Sequence, residues 1–228
     1  MKRILAFIVA CTGLGAFPAM AQAGGNPPKV LNLATIDKPK AWTTIHVIAN
    51  PVERDGREGA YLKSLADSAN GIVGLALPVG VAFDTGVIEM ELKGHGARGS
   101  SFLGVAFNVV DEKTFEAIYF RPFNFKADEP FRGRAVQYIS WPAHTWERLR
   151  TDHPGRFEHP VNPVPDPDDW FRARIEVSDK QVRVFVNDAN APSLVADRLA
   201  TDKAKRPMGL FVDSADGLYA NVKVTAGK

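Results

Sequence analysis

Tyr119, Arg121, Asn124, Gln137, Tyr138, His144 and Trp146 lie within two strand-like runs and the loop after them. This mixture of rings and hydrogen-bonding groups suits a sugar. Aromatic faces cover the apolar face of a pyranose, and Arg, Asn and Gln replace the water its hydroxyls give up. The stretch points to a saccharide as the partner, with Tyr119, Arg121, Asn124, Gln137, Tyr138 and Trp146 as contacts. The competing reading is packing: Phe115, Phe120, Phe125 and Phe131 suit a sandwich core, and Arg121 suits a buried pair with Glu116 or Asp128.

Other constellations carry weaker chemistry. Glu89 and Glu91 share one face of a strand, roughly 6.6 Å apart along the backbone at about 3.3 Å per residue. That is a separation at which paired carboxylates hydrolyse glycosides, but two glutamates on a solvent face are equally ordinary. His153 and His159, with Asp152 and Glu158, contain ligand types for a transition metal at a spacing that matches no standard pattern. Asp166, Asp168 and Asp169, or Asp213 and Asp216, offer oxygens for structural calcium and read equally as turns. No other cofactor is expected. Gly99-Ser100-Ser101 lacks the Gly-x-Ser-x-Gly elbow of a nucleophilic serine, and no phosphate-cradling glycine loop is present.

The start of the chain reads as a leader. Lys2 and Arg3 precede a largely apolar run over 4–17, and Ala21-Gln22-Ala23 has the small-x-small form of a cleavage site. Gly13, Gly15 and Pro18 interrupt the run, so stable membrane insertion is not expected. Ile8-Val9-Ala10-Cys11 resembles a lipoprotein box, although only the seven residues 4–10 form the apolar run before Cys11. The expectation is a signal peptide over 1–23, cleaved after Ala23, a periplasmic or secreted protein, and one domain over 24–228. Cleavage removes Lys2, Arg3 and the sole cysteine, so the 28 basic and 26 acidic residues become 26 and 26. A neutral chain gives no compositional case for nucleic acid, and one without thiols forms no disulfide.

The elements that must position these groups read as β. Ile88, Met90 and Leu92 alternate with Val87, Glu89 and Glu91. Similar runs fall at 44–49, 59–65, 71–77, 101–110, 114–121, 135–141, 170–178, 181–187, 194–197, 207–212 and 218–225, with turn residues near most joins. Phe171, Ala173, Ile175 and Val177 share a face, and Ser178-Asp179-Lys180 turns the chain into Val182, Val184 and Val186. Thr145 to Thr151 is the one stretch read as helical. The segment holding Pro154, Pro160, Pro163, Pro165 and Pro167 reads as a long loop without regular structure. A dozen short strands without a fixed repeat suit a jelly-roll sandwich of two antiparallel sheets.

The runs GVIEMELKG (86–94), FLGVAFNV (102–109), WFRARIEVSDKQVRVFVND (170–188) and MGLFVDSADGLYANVKV (208–224) resemble the concanavalin A-like lectin and glucanase superfamily. More narrowly, the chain is similar to bacterial laminin-G-like jelly rolls, including the 3-keto-disaccharide hydrolase domains. The resemblance implies the fold over nearly the whole of 24–228, and function by analogy only. Glucanases of this fold carry a longer acidic strand motif; here Leu92, Lys93 and Gly94 follow Glu91, so its third acid is missing. A 3-keto-glycoside hydrolase or lyase needs one base and donors for an enolate oxygen. His144, with Glu116 or Asp111 in reserve, would be that base, and Arg121 with Asn124 would hold the oxyanion. The other reading of His144 is a loop histidine that caps the short helix or packs on Trp146. Three functions stay open: a carbohydrate-binding jelly roll, a glycan-processing hydrolase or lyase, and a periplasmic structural or interaction module.

Overall fold

The hairpin expected after Trp170 forms where the alternation places it. In the computed structural model, which describes residues 26–65, 72–202 and 204–227, the strands Phe171–Val177 and Gln181–Val186 pair antiparallel around Ser178-Asp179-Lys180. Phe171, Ala173, Ile175, Val177, Val182, Val184 and Val186 are all buried. The leader expected over 1–23, its cleavage after Ala23 and Cys11 lie outside the described residues, as does Gly71 at the start of one expected strand.

Seventeen strands are described: β1 (Lys29–Val30), β2 (Trp42–Ile45), β3 (Val47–Arg54), β4 (Arg57–Ser64), β5 (Gly74–Pro78), β6 (Ala82–Phe83), β7 (Gly86–Lys93), β8 (Phe102–Asp111), β9 (Thr114–Phe120), β10 (Val136–Trp141), β11 (Glu158–His159), β12 (Phe171–Val177), β13 (Gln181–Val186), β14 (Leu194–Asp197), β15 (Arg206–Pro207), β16 (Gly209–Asp213) and β17 (Asp216–Ala226). One antiparallel sheet runs β14-β13-β12-β7-β17-β4-β3, with β1 added on β17. The other runs β11-β10-β9-β8-β16-β5-β2. The result is the two-sheet jelly-roll sandwich that the strand pattern predicts.

The sheets meet through large side chains. Phe120 of β9 sets its ring 5.1 Å from that of Phe171 on β12, and Phe125 meets the same ring at 5.1 Å, both edge to face. Ile88, Met90 and Leu92 line the interior from β7, as their alternation predicts, and Glu89 and Glu91 face outward. Glu91 there accepts from Arg57 and Asn221, an ordinary surface cluster.

A buried ion pair sits inside the sandwich. Glu116 on β9 accepts from Arg198 Nη2 at 2.9 Å and from Nε at 3.2 Å to each oxygen, with both side chains at most 1% exposed. Tyr138 and Asn108 also donate to Glu116, and the other end of Arg198 donates to the carbonyls of Asp84 and Ser178. The network ties the seven-stranded sheet to the turn between β12 and β13.

Three features depart from the sequence expectation. The 44–49 run is divided at His46, whose φ of 50° lies in the left-handed region and breaks the strand into β2 and β3. Short 3-10 turns form at Leu33–Thr35, Pro122–Asn124 and Arg132–Arg134, beside the expected helix α1 (Trp146–Asp152). The proline-rich segment is not wholly irregular: Glu158 and His159 precede Pro160, keep their amides, and add β11 to β10 with Gln137 opposite Glu158. Prolines forbid ladder bonds only at their own nitrogens. Among the described residues, no helix is long and apolar enough to cross a membrane.

Candidate functional site

The outer face of the seven-stranded sheet is aromatic and is roofed by α1. Phe115, Tyr119 and Phe211 are buried there, with the Tyr119 ring stacked 5.3 Å from Phe211 and Phe115 stacked 5.4 Å from Trp141. Thr145 caps α1 by accepting from the Arg148 amide, and Leu149 anchors the helix on the sheet. Trp146 and Arg150, one turn apart, therefore share a face of α1, with the Arg150 guanidinium 4.6 Å from the Trp146 ring.

Beneath Trp146 and Arg150 lies a cavity of about 250 Å³. Phe102 and Tyr119 form its floor, Arg121, Phe123 and Asn124 follow β9 at the 3-10 turn Pro122–Asn124 to form one wall, and Phe131 with Arg134 forms another. Arg98 stands at its rim and Asp213 at the end of β16. Pro122 starts the 3-10 turn directly after Arg121, so the strand stops where its side chain is needed.

Arg121 organises the floor. Its Nη2 donates to the Tyr119 hydroxyl at 2.9 Å and to Gln137 Oε1 at 3.3 Å, and its Nη1 donates to the Arg134 carbonyl at 2.8 Å. Asn124 donates to the same carbonyl at 3.2 Å. Burial pulls the Arg121 guanidinium below its ordinary value, against the pull of Tyr119 and Glu158. Glu158, delivered by β11, takes Arg150 bidentately at 2.6 and 2.8 Å and leaves Arg121 at 3.9 Å and Arg134 at 3.8 Å.

The structure thus brings Tyr119, Arg121, Asn124 and Trp146 to one cavity. Gln137 lies behind it, fully engaged: it accepts from Arg121 and donates to the Tyr138 and Phe157 carbonyls. Its part is to hold Arg121. Tyr138 is not brought to the cavity. Residues alternate across β10, so Tyr138 faces the sandwich interior and donates to Glu116 while accepting from the Leu199 amide.

His144 is placed elsewhere too. It bridges back to Ser140 through paired backbone bonds of 2.8 and 3.1 Å and lines a neighbouring cavity of about 270 Å³ with Ser140, Trp141 and Arg206. Arg121 and Asn124 do not line that cavity, so the expected base and oxyanion donors are not assembled. The reserve bases do not replace it: Glu116 is sealed in the sandwich interior, and Asp111 accepts from the Lys113 amide in the β8–β9 turn. Helix capping, one reading of His144, is done by Thr145.

The candidate metal ligands are dispersed. Among the described residues no group of three or more His, Cys, Asp or Glu side chains is arranged to hold a metal. Asp166 pairs with Lys126, Asp168 accepts from the Gly96 amide, Asp169 from the Trp170 amide, and Asp216 from Tyr61. Asp152 pairs with Arg148, while Glu158 belongs to the arginine cluster.

Burial pushes the Tyr119 hydroxyl up from 10.0 to about 12. Tyr138 and Tyr219 are pushed up too, also chiefly by burial. A raised tyrosine pKa means that the folded state favours the neutral phenol. That stability is present below about pH 10 and is lost as pH rises through the folded values. In an alkaline titration of tyrosinate absorbance, none of the four tyrosines is expected to ionise fully by pH 10 while the protein stays folded, since Tyr61 is pushed up as well, first by burial and then by its bond to Asp216. Two or more ionising there without unfolding would contradict the burial assigned to the cavity floor.

No protein-family model matches the chain, and no curated protein matches it. Solved structures do. The carbohydrate-binding module CBM66 from Bacillus subtilis superposes with a TM-score of 0.52 at 13% identity, covering 81% of this chain and 95% of that one. A protein of unknown function with a galectin-like fold, also from Bacillus subtilis, gives 0.52 at 12% identity, covering 90% and 99%. The shared fold is the two-sheet jelly-roll sandwich. At these identities the likeness is one of architecture, and within this jelly roll the cavity under α1 stands on its own residues.

Sequence reasoning missed Arg98, Phe102, Arg134 and Arg150, and weighed Glu158 only as a metal ligand. The one available signal was the run of Arg132, Arg134, Arg148, Arg150 and Arg156 around the strands that carry Tyr119 and Gln137. Nothing local says which of these turn inward.

Proposed function

We propose that this protein is an exported carbohydrate-binding jelly roll whose ligand site is the cavity beneath α1. The observation that carries the reading is the wall of that cavity: Trp146, Phe102, Phe123 and Phe131 present ring surface around the hydrogen-bonding groups of Arg121 and Asn124. Rings for an apolar sugar face and fixed donors for its hydroxyls are what saccharide recognition requires. The cavity is a little smaller than the roughly 300–1,000 Å³ of sites for drug-sized molecules, which suits about one sugar ring. The shared fold with a carbohydrate-binding module supports the same reading. The basic, apolar and small-residue succession over 1–23 supports export to the periplasm or beyond.

Among the described residues that line the cavity, Asp213 is a carboxylate with no histidine beside it. Glu158 is locked on Arg150, and His144 serves another cavity. This arrangement favours capture over turnover in the reading proposed here.

A thermal-shift screen of the purified protein against neutral and acidic oligosaccharides and 3-keto-glycosides, with product analysis on the same samples, tests this. The expected result is stabilisation by at least one glycan with no released sugar, since a ligand of the folded state raises the midpoint. Product release would overturn the non-catalytic reading. Failure of every glycan to shift the midpoint would leave an interaction module in its place.

A further inference from the structure

The charges around the cavity specify its ligand further, and the step rests on the saccharide reading above. Four arginines line the cavity, Arg98, Arg121, Arg134 and Arg150, against the single carboxylate of Asp213 among the lining residues. Glu158 lies behind the wall and has both oxygens committed to Arg150. Counting it, four cations meet two carboxylates, an excess of two positive charges in a chain whose overall charge is near balance.

Arg121 carries the argument. It is only 5% exposed, yet its hydrogen bonds go to neutral oxygens, a phenol, an amide and a carbonyl, and the nearest carboxylate oxygen stands at 3.9 Å. A buried guanidinium held by neutral acceptors keeps most of its desolvation cost. Glu158, committed to Arg150, offsets that charge only in part, and an incoming anion adds to the countercharge. Arg134 is more open, its side chain 28% exposed, and stands 3.8 Å from the same Glu158 and 5.5 Å over the Phe131 ring. Arg98 is exposed at the rim, lies 4.0 Å over the Phe131 ring, and has no carboxylate partner among the described residues. Stacking there orients a planar fork that binds a carboxylate through two parallel bonds.

We propose that the cavity takes an acidic saccharide, one whose sugar ring lies among Trp146, Phe123 and Phe131 while its carboxylate meets Arg98, Arg121 and Arg134. A uronic acid residue of an oligosaccharide has both parts on one ring. Guanidinium forks bind carboxylates and tetrahedral oxyanions alike through two parallel bonds, but a uronate carries its carboxylate directly on the ring whereas a sulfate stands off on an ester oxygen.

The test is calorimetric titration of the purified protein with oligomers of galacturonate, glucuronate and mannuronate. Each is paired with its carboxyl-reduced neutral counterpart and with a sulfated neutral oligosaccharide. Binding of at least one uronate oligomer is expected, weaker by on the order of tenfold for its reduced counterpart and falling as salt is raised. Arg98→Ala, at an exposed position where folding is not at stake, is expected to lower the affinity for the uronate oligomer and flatten its salt dependence, narrowing the ratio to the reduced form. Equal affinity for the acidic and reduced forms would overturn the acidic assignment and leave the saccharide reading standing. A preference for the sulfated sugar would overturn the carboxylate. Binding of uronates that is unchanged in Trp146→Ala would overturn both, because charge alone would then be holding the ligand.

Discussion

Replacing Glu116 by Ala is expected to destabilise the protein by about 3–5 kcal/mol, the cost of leaving one member of a buried ion pair without its partner. Arg198 would keep its carbonyl acceptors at Asp84 and Ser178 but lose every charged one, with its side chain wholly shielded from water. Tyr138 and Asn108 would lose acceptors at the same time. For a domain whose total stability lies at about 5–15 kcal/mol, this is roughly a fifth or more of what there is. Urea unfolding should show the midpoint falling with the slope unchanged. The double replacement Glu116→Leu with Arg198→Met separates the charge from the shape. It removes both charges together and should recover a large part of the loss. A loss below about 1 kcal/mol for Glu116→Ala would mean that water reaches Arg198, contrary to its burial.

The largest effect on binding is expected at Trp146. Its ring is 36% exposed, roofs the cavity and rests against Arg150, so truncation removes a wall without opening the core. Trp146→Ala should weaken the best glycan of the screen by about 2 kcal/mol, roughly thirtyfold, the scale of a central aromatic contact. Its unfolding midpoint should stay close to that of the parent, because Leu149 and not Trp146 anchors α1. Calorimetry on the parent and on Trp146→Phe, which keeps a smaller ring, completes the series. Affinity within twofold of the parent in Trp146→Ala would place the sugar away from α1.

These two positions mark how differently the core and the site could be read. The β12–β13 hairpin was legible because its information is local: apolar residues at every second position on one face and a three-residue turn between them. The same rule fails for β9 and β10. From Phe115 to Phe120 and from Val136 to Ser140 every residue is buried, because one face meets the opposite sheet and the other lies under α1 and its loop. A strand buried on both faces loses the alternation that tells them apart. Tyr119 and Tyr138 therefore looked equivalent in sequence, yet one floors the cavity and the other seals an ion pair inside the sandwich.

Periodicity and turn residues determined by themselves that this chain is an antiparallel sandwich and that Glu89 and Glu91 lie on the strand face opposite Ile88, Met90 and Leu92. The assembly of the cavity was decided only by tertiary structure. Glu158 reaches Arg150 because β11 pairs with β10, and His144 leaves the site because its backbone turns back on Ser140. Arg98 arrives from the loop before β8, far along the chain from Phe131. A spacing rule acts between neighbours in sequence, whereas a charge excess is a sum over side chains delivered by separate elements, and it exists only once the sheets have closed.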